Sequence, residues 1–293
     1  MTTPVPRIAD LLASARAAGL ERIDAQRLLG HLLGRTRAWL IAHDEVPLDA
    51  ATAAAWAALC VRHAAGEPMA YLTGAQGFHG LTLAVSPAVL IPRPDTETLV
   101  DWALEILATR AAGAAPPRVL DLGTGSGAIA LAIRAACPVA EVWATDRSAA
   151  ALAVARANAA ALGLPVHFLE GDWWAALPAR AAGAATDPGP RFDLVVANPP
   201  YIAPGDPHLP ALRHEPLAAL VAGDAGLADL ATLVAGAPAH LVPGGWLLLE
   251  HGFDQADAVA QRLRGNGFGA VKSRRDLGGR PRCSGGQWRP AAS

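Results

Sequence analysis

The sequence predicts an α/β fold, in which a doubly wound parallel sheet follows a small helical domain and a β-hairpin connector. Three observations predict it. Apolar residues first recur at helical spacing, apolar and polar residues then alternate between glycines, and from Arg118 short apolar runs alternate with helix-length segments. A length of 293 residues favours about two domains. We expect a helical bundle at 1–70, a hairpin and helix connector at 71–110, and the α/β domain at 111–293.

The first segment has the periodicity of short amphipathic helices. An apolar stripe over residues 8–15 predicts a helix that ends near Gly19. Asp24 is the predicted N-cap of a second helix, which Gly34 would terminate. A third helix is predicted over Asp49–His63. These segments form a structural domain whose outer face is available for partner recognition.

Residues 67–95 have the alternating pattern of a β-hairpin. Apolar and polar positions alternate in Tyr71–Gly74 and in Leu81–Val85. The Ile-Pro-Arg-Pro-Asp segment at 91–95 interrupts this pattern, and a helix is predicted from about Thr96. This part of the chain is therefore expected to connect the two domains.

From Arg118 the chain repeats the strand–turn–helix order of a parallel, doubly wound sheet. Helices are predicted at 127–136 and 149–162, and a Gly/Pro/Ala loop at 179–190. Residues 270–275 and 284–289 are predicted to add an antiparallel pair at the sheet edge. The candidate strands are Arg118–Leu122, Glu141–Thr145, Val166–Glu170, Phe192–Ala197 and Gly245–Glu250.

Composition argues against several classes of function. With 24 Lys+Arg and 26 Asp+Glu the formal charge is −2, so the basic footprint of a nucleic-acid-binding protein is absent. Cys60, Cys137 and Cys283 are too widely spaced for a disulfide framework or a Cys-x-x-Cys metal pair. Charges near the amino terminus argue against a signal peptide, and the longest apolar run suits a membrane helix poorly. We expect a cytoplasmic protein that does not enter a membrane.

A glycine-rich turn follows the first candidate strand. Residues 121–127 are Asp-Leu-Gly-Thr-Gly-Ser-Gly, and the next strand ends in an acid that can accept both hydroxyls of a ribose. Glycines let the backbone approach a ligand, and the following helix offers free amides. The leading acid and the third glycine favour S-adenosylmethionine over a nicotinamide cofactor, and a purely structural turn is a third interpretation. The candidate cofactor-binding residues are Gly123, Thr124, Gly125, Ser126, Gly127 and Asp146.

A second part of this predicted cofactor site follows the third candidate strand. Asp172 can accept a hydrogen bond from the exocyclic amine of an adenine, and Trp173 can pack on or near its ring. Trp174, the next residue, is interpreted as a packing residue. We therefore add Asp172 and Trp173 to the candidate cofactor-binding residues.

The most informative segment, Asn198-Pro199-Pro200-Tyr201, directly follows the fourth candidate strand. The two prolines stiffen the turn and lack N–H groups, so the Asn198 side-chain oxygen and the Pro199 carbonyl form a rim of acceptors. Two acceptors can orient a planar NH₂ group and aim its lone pair at a methyl carbon. Tyr201 would cover the flat face of the substrate group and exclude water. All four residues are predicted to bind substrate, and Asn198, Pro199 and Tyr201 to be catalytic; adenine, cytosine and glutamine nitrogens stay open as targets.

Two further features are interpreted as structural. Gly285-Gly286-Gln287 lies in the predicted final strand, where a strand end or turn explains it. His208 and His214 have no carboxylate or cysteine partner at metal-ligand spacing, so no metal site is predicted.

These motifs resemble those of the HemK/PrmC family, the release factor glutamine methyltransferases. The likeness extends over roughly residues 66–288. Besides the glycine loop and the Asn-Pro-Pro-Tyr turn, it is carried by residues 66–74, 90–97, 206–209, 213–220 and 248–252.

The resemblance implies a class I (Rossmann-like) S-adenosylmethionine methyltransferase domain behind a helical domain and a hairpin connector. It implies N5-methylation of the glutamine in the Gly-Gly-Gln motif of class 1 peptide chain release factors. It assigns Gly123–Gly127, Asp146 and Trp173 to the cofactor, Asn198 to cofactor and substrate, and Pro199–Tyr201 to the glutamine. We expect a monomer that does not bind DNA.

Three alternatives stay open. A sister group methylates a glutamine of a ribosomal protein, although Pro94-Asp95-Thr96-Glu97 here is similar to the release-factor group. Adenine N6-methyltransferases of nucleic acids share the Asn-Pro-Pro-Tyr turn, but the near-neutral charge argues against that substrate. A cofactor-binding module without activity is the third, and the intact turn argues against it.

Overall fold

The computed structural model describes residues 5–110, 115–178 and 189–290. The chain divides into two compact units, residues 1–75 and 76–293, which are described separately. Most of the loop predicted at 179–190 lies outside the described residues. None of the helices in the described ranges combines the length and the apolar composition that crossing a membrane requires.

The first unit is helical, as predicted. Its core is formed by buried side chains such as Ile8, Leu28, Leu29 and Trp56. Gly34 adopts the left-handed conformation that ends the second helix, which confirms the predicted stop. The helices are α1 (Ile8–Ala17), α2 (Arg22–Leu33), α3 (Arg37–Ala42), α4 (Ala50–Ala64) and α5 (Met69–Thr73).

The prediction that Asp24 caps the second helix is wrong. The N-cap is Glu21, three residues earlier, and the Ala25 N–H donates to the Glu21 carbonyl at 2.9 Å. Asp24 therefore lies inside the first turn, where its acidic side chain favours the positive end of the helix dipole. The third predicted helix is confirmed, and Asp49 accepts from Thr52 N–H as its N-cap.

The structure corrects the start of the predicted hairpin. Residues Tyr71–Gly74 were expected to be extended, but α5 occupies Met69–Thr73. Pro68 precedes this turn with φ −59°, and Gly74 ends it with φ +67°. The hairpin consists of β1 (Ala75–Phe78) and β2 (Leu81–Ala84), and both connecting residues have positive φ, as a two-residue hairpin turn requires.

The second unit contains the predicted sheet with helices on its faces. The spatial order of the strands in the sheet is β5-β4-β3-β6-β7-β9-β8. The first five strands in this order are parallel to one another, and β9 is antiparallel to both of its neighbours, β7 and β8. The elements are α6 (Pro94–Ala108), β3 (Arg118–Leu122), α7 (Ala128–Ala136), β4 (Glu141–Asp146), α8 (Ala149–Leu162), β5 (His167–Glu170), β6 (Phe192–Ala197), α9 (Gly223–Gly226), α10 (Ala228–His240), β7 (Leu241–Glu250), α11 (Ala256–Gly265), β8 (Phe268–Arg275) and β9 (Pro281–Trp288).

Alternate residues of the central strands enter two cores on opposite faces of the sheet. Val119 packs with residues of α6 and α7, whereas Leu120 and Leu122 pack with residues of α10 and α11. Burial on both faces explains why these strands are nearly all apolar. The α/β fold, with a mostly parallel sheet and an antiparallel pair at one edge, is confirmed.

Candidate active site

The order of the strands selects one edge of the sheet for a ligand. β3 lies between β4 and β6. The strands that follow it, β4 and β5, extend the sheet on one side, and the later strands β6 and β7 extend it on the other. Ligands bind at the carboxyl ends of the strands where the strand order reverses in this way. Leu122 pairs with Ala197 in the parallel register. Gly123 and Asn198 therefore emerge side by side from neighbouring strands.

The glycine loop adopts a conformation that glycine favours. Gly123, Gly125 and Gly127 have φ values of +73°, +56° and +85°, and L side chains rarely adopt this region. The loop is fixed to the next strand because the N–H groups of Gly123 and Thr124 both donate to the Thr145 carbonyl, at 2.9 and 2.8 Å. Gly127 is the residue before α7, so the loop ends at a helix N-terminus.

Asp146 connects this loop to the end of β4. Its Oδ2 accepts from the Gly125 N–H at 2.9 Å, and its Oδ1 accepts from the Ser148 N–H at 2.9 Å. A Cβ built on Gly125 would meet nothing within 4 Å. Gly125 thus opens onto free space beside a carboxylate, which is the arrangement expected of a ribose-binding loop.

A second acid, Asp121, is buried below the loop. Its Oδ2 accepts from the Thr124 hydroxyl at 2.6 Å and from the Ala130 N–H at 3.2 Å. Its Oδ1 makes no hydrogen bond with the residues that the structure describes. Burial raises the pKa of Asp121 to about 7, while the bonds from Thr124 and Ala130 lower it. Asp121 therefore links the loop to α7 but does not line the cavity.

Trp173 forms one wall of the space in front of the loop. A Cβ on Gly123 would lie 3.0 Å from the Trp173 ring, so a glycine is needed where the loop passes the indole. Trp173 has φ +44°, and its Nε1 donates to Asp229 Oδ1 at 3.2 Å. Asp172 lines the same space. Both residues therefore lie where the sequence places a cofactor ring.

Two residues of the Asn-Pro-Pro-Tyr turn line the same cavity, whereas Pro199 and Tyr201, also predicted to act on the substrate, are not among its lining residues. Asn198 and Pro200 line the cavity, and the Asn198 Nδ2 donates to Thr96 Oγ1 at 3.3 Å. Pro199 is buried. Tyr201 packs its ring against the core on the α10 and α11 face. The cavity thus receives an amide side chain from one strand end and a glycine loop from the next.

The Tyr201 hydroxyl points to a buried acid. It donates to Glu250 Oε1 at 3.3 Å. Burial raises the pKa of Glu250 to about 7, opposed by interactions with Thr96, Arg282 and Tyr201. Burial, reinforced by the charge of Glu250, raises the pKa of Tyr201 as well. The phenol therefore stays protonated and remains a hydrogen-bond donor.

About 1090 Å³ of space lies between the residues that line the cavity, with the solvent at the open mouth included. Part of its wall comes from segments to which the sequence analysis gave no role, at residues 88–96 and 216–219. These two segments are joined by Glu215, which is buried, pairs with Arg93 and accepts from the Ile91 N–H at 3.1 Å.

Sequence reasoning missed Arg93, Thr96, Glu215 and Asp229 as residues at this site. Residues 90–97 and 213–220 belong to the segments that carry the family resemblance, which is a signal for Arg93, Thr96 and Glu215. Asp229 belongs to none of the sequence motifs described above, and only the fold brings it next to Trp173.

Other residues singled out in the sequence lie away from the cavity. Trp174 stacks on His240 with ring centroids 4.9 Å apart, consistent with a packing role. Gly285-Gly286-Gln287 lies within β9, where a Cβ on Gly285 would be 2.4 Å from the Leu248 side chain. This glycine is therefore explained by packing. In the described part of the chain, no group of three or more His, Cys, Asp or Glu side chains could hold a metal ion.

Two family models match the chain. The model described as "PrmC N-terminal domain" matches residues 7–74, and the one described as "Methyltransferase small domain" matches residues 96–214. The first match lies in the helical unit, and the second covers the glycine loop and the Asn-Pro-Pro-Tyr turn.

Curated relatives are similar over nearly their whole length. The release factor glutamine methyltransferase of Bordetella pertussis is 54% identical over 94% of this chain and 97% of its own. The enzymes of that name from Burkholderia pseudomallei and Escherichia coli are 51% and 42% identical, covering 98% and 95% of this chain and 99% and 96% of their own.

Solved methyltransferase structures share the fold. The hMettl16 catalytic domain in complex with MAT2A 3′UTR hairpin 6 has a TM-score of 0.55 at 14% identity, covering 84% of each chain. A methyltransferase from Pyrococcus furiosus has a TM-score of 0.50 at 19% identity, covering 72% of this chain and 90% of its own. At these identities the likeness concerns the fold alone.

Proposed function

This chain belongs to the release factor glutamine methyltransferase family, and from that premise we propose that it transfers a methyl group from S-adenosylmethionine to the side-chain nitrogen of a release factor glutamine. The substrate glutamine is that of the Gly-Gly-Gln motif. One observation carries the proposal: the Asn198 side chain lines the same cavity as the glycine loop. An acceptor for the substrate amide thus lies beside the residues expected to hold the methyl donor.

The residues of the loop fit S-adenosylmethionine. The open space above Gly125 would be filled by a Cβ, and Asp146 holds the loop with one face towards the cavity. We propose that Gly123–Gly127, Asp146, Asp172 and Trp173 hold the cofactor, with Asn198 contributing from the other wall. When bound, the cofactor supplies an electrophilic methyl group on a sulfonium.

We propose that the turn prepares the substrate nitrogen for attack. The Asn198 Oδ1 and the Pro199 carbonyl would each accept a hydrogen bond from one N–H group of the glutamine amide. These two bonds would hold the nitrogen in line with the methyl carbon. Pro200 stiffens the turn, and the bond from the Tyr201 hydroxyl to Glu250 Oε1 would hold its far end. As the nitrogen–carbon bond forms, the methyl carbon–sulfur bond would break to leave a neutral thioether, and the nitrogen would release one proton to water. That proton becomes acidic only during bond formation, so positioning contributes more than a general base.

We also propose class 1 release factors as the partner, a monomeric enzyme that does not bind DNA, and a cytoplasmic location. The names of the relatives support the release factor as partner, and the near-neutral formal charge of −2 argues against DNA binding. The position of the three thiols in separate segments supports a reducing compartment.

The test is mass spectrometry of release factor after incubation with the enzyme and isotopically labelled S-adenosylmethionine. We expect one added methyl group on the glutamine of the Gly-Gly-Gln loop. A release factor carrying alanine at that glutamine is the control and should stay unlabelled. Label on a ribosomal protein or on adenine in a DNA duplex, with none on release factor, would overturn the proposal in favour of the corresponding alternative.

A further inference from the structure

The bond between Asn198 and Thr96 decides which way round the Asn198 amide is held. Its Nδ2 donates to Thr96 Oγ1 at 3.3 Å, and its Oδ1 accepts no hydrogen bond from the residues that the structure describes. The amide nitrogen and oxygen are the two ends of one planar group, so a bond that holds the nitrogen on Thr96 leaves the oxygen free to accept a hydrogen bond from a substrate. An amide turned the other way would present N–H groups to a substrate NH₂ that needs acceptors.

Thr96 can hold this orientation only if its own proton has another acceptor. A hydroxyl has one proton, and an Oγ1 that accepts from Asn198 must donate elsewhere. Thr96 is 4% exposed, and its hydroxyl lies near enough to the buried Glu250 carboxyl to lower the pKa of that group, without a well-formed hydrogen bond between the two. Glu250 Oε1 also accepts from the Tyr201 hydroxyl. One carboxyl therefore contacts groups that hold both ends of the Asn-Pro-Pro-Tyr turn.

Glu250 is 1% exposed, and its Oε2 makes no well-formed hydrogen bond with described residues. The charged and titratable groups facing it are Asp95 from α6, Tyr201 from the turn, and Arg282 and Cys283 from β9. Arg282, which pairs with Asp95 and Asp276 at 3.2 Å each, lowers the pKa of Glu250, whereas Asp95 raises it. Such a buried acid needs an explanation beyond stability, because an apolar residue would fill the site without a desolvation cost.

We infer that Glu250 is a positioning residue for methyl transfer: through Thr96 it orients the Asn198 amide, and through Tyr201 it holds the far end of the turn. This inference rests on the proposed function and names a group that acts through other residues rather than on the substrate. An ionised Glu250 carboxylate can accept hydrogen bonds from the hydroxyls of both Thr96 and Tyr201. A protonated carboxyl is itself a donor, so one of its oxygens accepts less well from the neighbouring hydroxyl.

The first test removes the hydroxyl without touching Glu250. In Thr96→Val we expect kcat for methylation of release factor to fall by about tenfold to a hundredfold, because a misplaced amide loses the aligned geometry. Thr96→Ser, which keeps the hydroxyl, should restore most of that loss. Thr98→Val is the matched control, since Thr98 lies on the same helix outside the cavity. Affinity for S-adenosylmethionine, measured by calorimetry, should stay within about twofold in Thr96→Ser and Thr98→Val, and in Thr96→Val it should fall by less than kcat does, because the glycine loop is untouched.

The second test uses pH. Burial raises the pKa of Glu250 to about 7, so protonation of the carboxyl should give the kcat profile of the wild type an acidic limb. In Glu250→Gln that limb should disappear, together with about a tenfold or larger loss of kcat, because the amide NH₂ faces a hydroxyl donor. The thermal unfolding midpoint of each variant shows that the comparison is made on folded protein.

The outcomes separate this inference from the proposed function. If the wild type transfers no methyl group to release factor, both the proposed function and the inference about Glu250 are overturned. If the wild type is active and Thr96→Val has the kcat of Thr98→Val, the inference alone is overturned. The same holds if serine at position 96 fails to restore activity, or if the acidic limb persists in Glu250→Gln. A low kcat in Thr96→Val, with restoration by serine and a smaller loss of cofactor affinity than of kcat, supports it.

Discussion

The backbone N–H of Gly125 donates to Oδ2 of Asp146 at 2.9 Å, so a single carboxylate joins the loop after β3 to the end of β4. The other oxygen of the same carboxylate accepts from Ser148 N–H, the residue before α8. Hydrogen bonds from N–H groups to an ionised acceptor are stronger than neutral ones. Asp146 therefore fixes the shape of the loop in addition to any contact it makes with a ligand.

Asp146→Asn should weaken binding of S-adenosylmethionine by about tenfold or more, since bonds to charged groups are worth about 1.5–3 kcal/mol. The asparagine keeps one acceptor oxygen, but its NH₂ faces one of the two backbone donors. Isothermal titration calorimetry measures the change. Glu170→Gln is the control, because Glu170 is exposed at the end of the neighbouring strand β5. Equal affinities in the two variants would contradict the role given to Asp146.

Asn198→Ala should remove methyl transfer while leaving a folded protein. The variant loses the acceptor oxygen at the cavity and the bond to Thr96. Loss of one preorganised group at a reacting centre typically costs about a hundredfold or more in rate. Turnover on release factor measures the effect, and circular dichroism checks the fold. Asn266→Ala, an exposed asparagine after α11, is the control that should keep wild-type turnover.

Gly226→Ala should destabilise the protein and disturb the Asn-Pro-Pro-Tyr turn. Gly226 has φ +86°, and a Cβ there would lie 2.2 Å from the Tyr201 carbonyl oxygen and 2.7 Å from Gln255 Nε2. Gly205 has a similar φ of +81°, but its Cβ would meet nothing within 4 Å. The two alanine variants therefore share the backbone strain and differ in the clash.

We expect Gly205→Ala to cost about 1–2 kcal/mol of stability, the usual cost of a left-handed residue, and Gly226→Ala to cost about 1–3 kcal/mol more. Turnover should fall only in Gly226→Ala, because the carbonyl that would move belongs to the turn. Thermal unfolding midpoints and initial rates of methylation measure both effects. Midpoints that coincide would show that the turn accommodates the extra carbon.

Much of the second unit could be predicted because its signals are local. Strands such as Arg118–Leu122 and Phe192–Ala197 are short apolar runs bounded by glycine or proline, and both have the predicted bounds. The glycine loop and Asn198 were expected at one edge because parallel strands end together. The fold brings them to one cavity, although the contacts of Asn198 and Asp146 with a ligand stay predictions.

Other features depend on contacts that no local pattern encodes. The turn α5 over Met69–Thr73 overrides an alternating pattern, because Pro68 and Gly74 set its two ends. Thr96 and Asp229 reach the cavity from helices that are distant in sequence from their partners Asn198 and Trp173. A hydrogen bond across this separation leaves no periodicity in the sequence, so only the structure identifies it.

The stability of the protein should fall as pH rises through the range in which Asp121 ionises. Burial raises the pKa of this carboxyl from 3.8 to about 7 in the folded chain. Between about pH 4 and 7 the folded state therefore binds a proton that the unfolded chain has released, and stability decreases as pH increases. One such group contributes at most about 1.4 kcal/mol per pH unit, and Glu250 acts in the same direction.

Asp121→Asn should remove the share of Asp121 from this slope and leave that of Glu250. Asparagine keeps an oxygen for the Thr124 hydroxyl, and it cannot ionise. Urea unfolding from about pH 5 to pH 8 should therefore give a smaller loss of stability for Asp121→Asn than for the wild type. Asp44→Asn, at an exposed position in the helical unit, should keep the wild-type slope. If Asp121→Asn loses stability with pH as steeply as Asp44→Asn, the Asp121 carboxyl is already ionised in the fold at the lower end of the range.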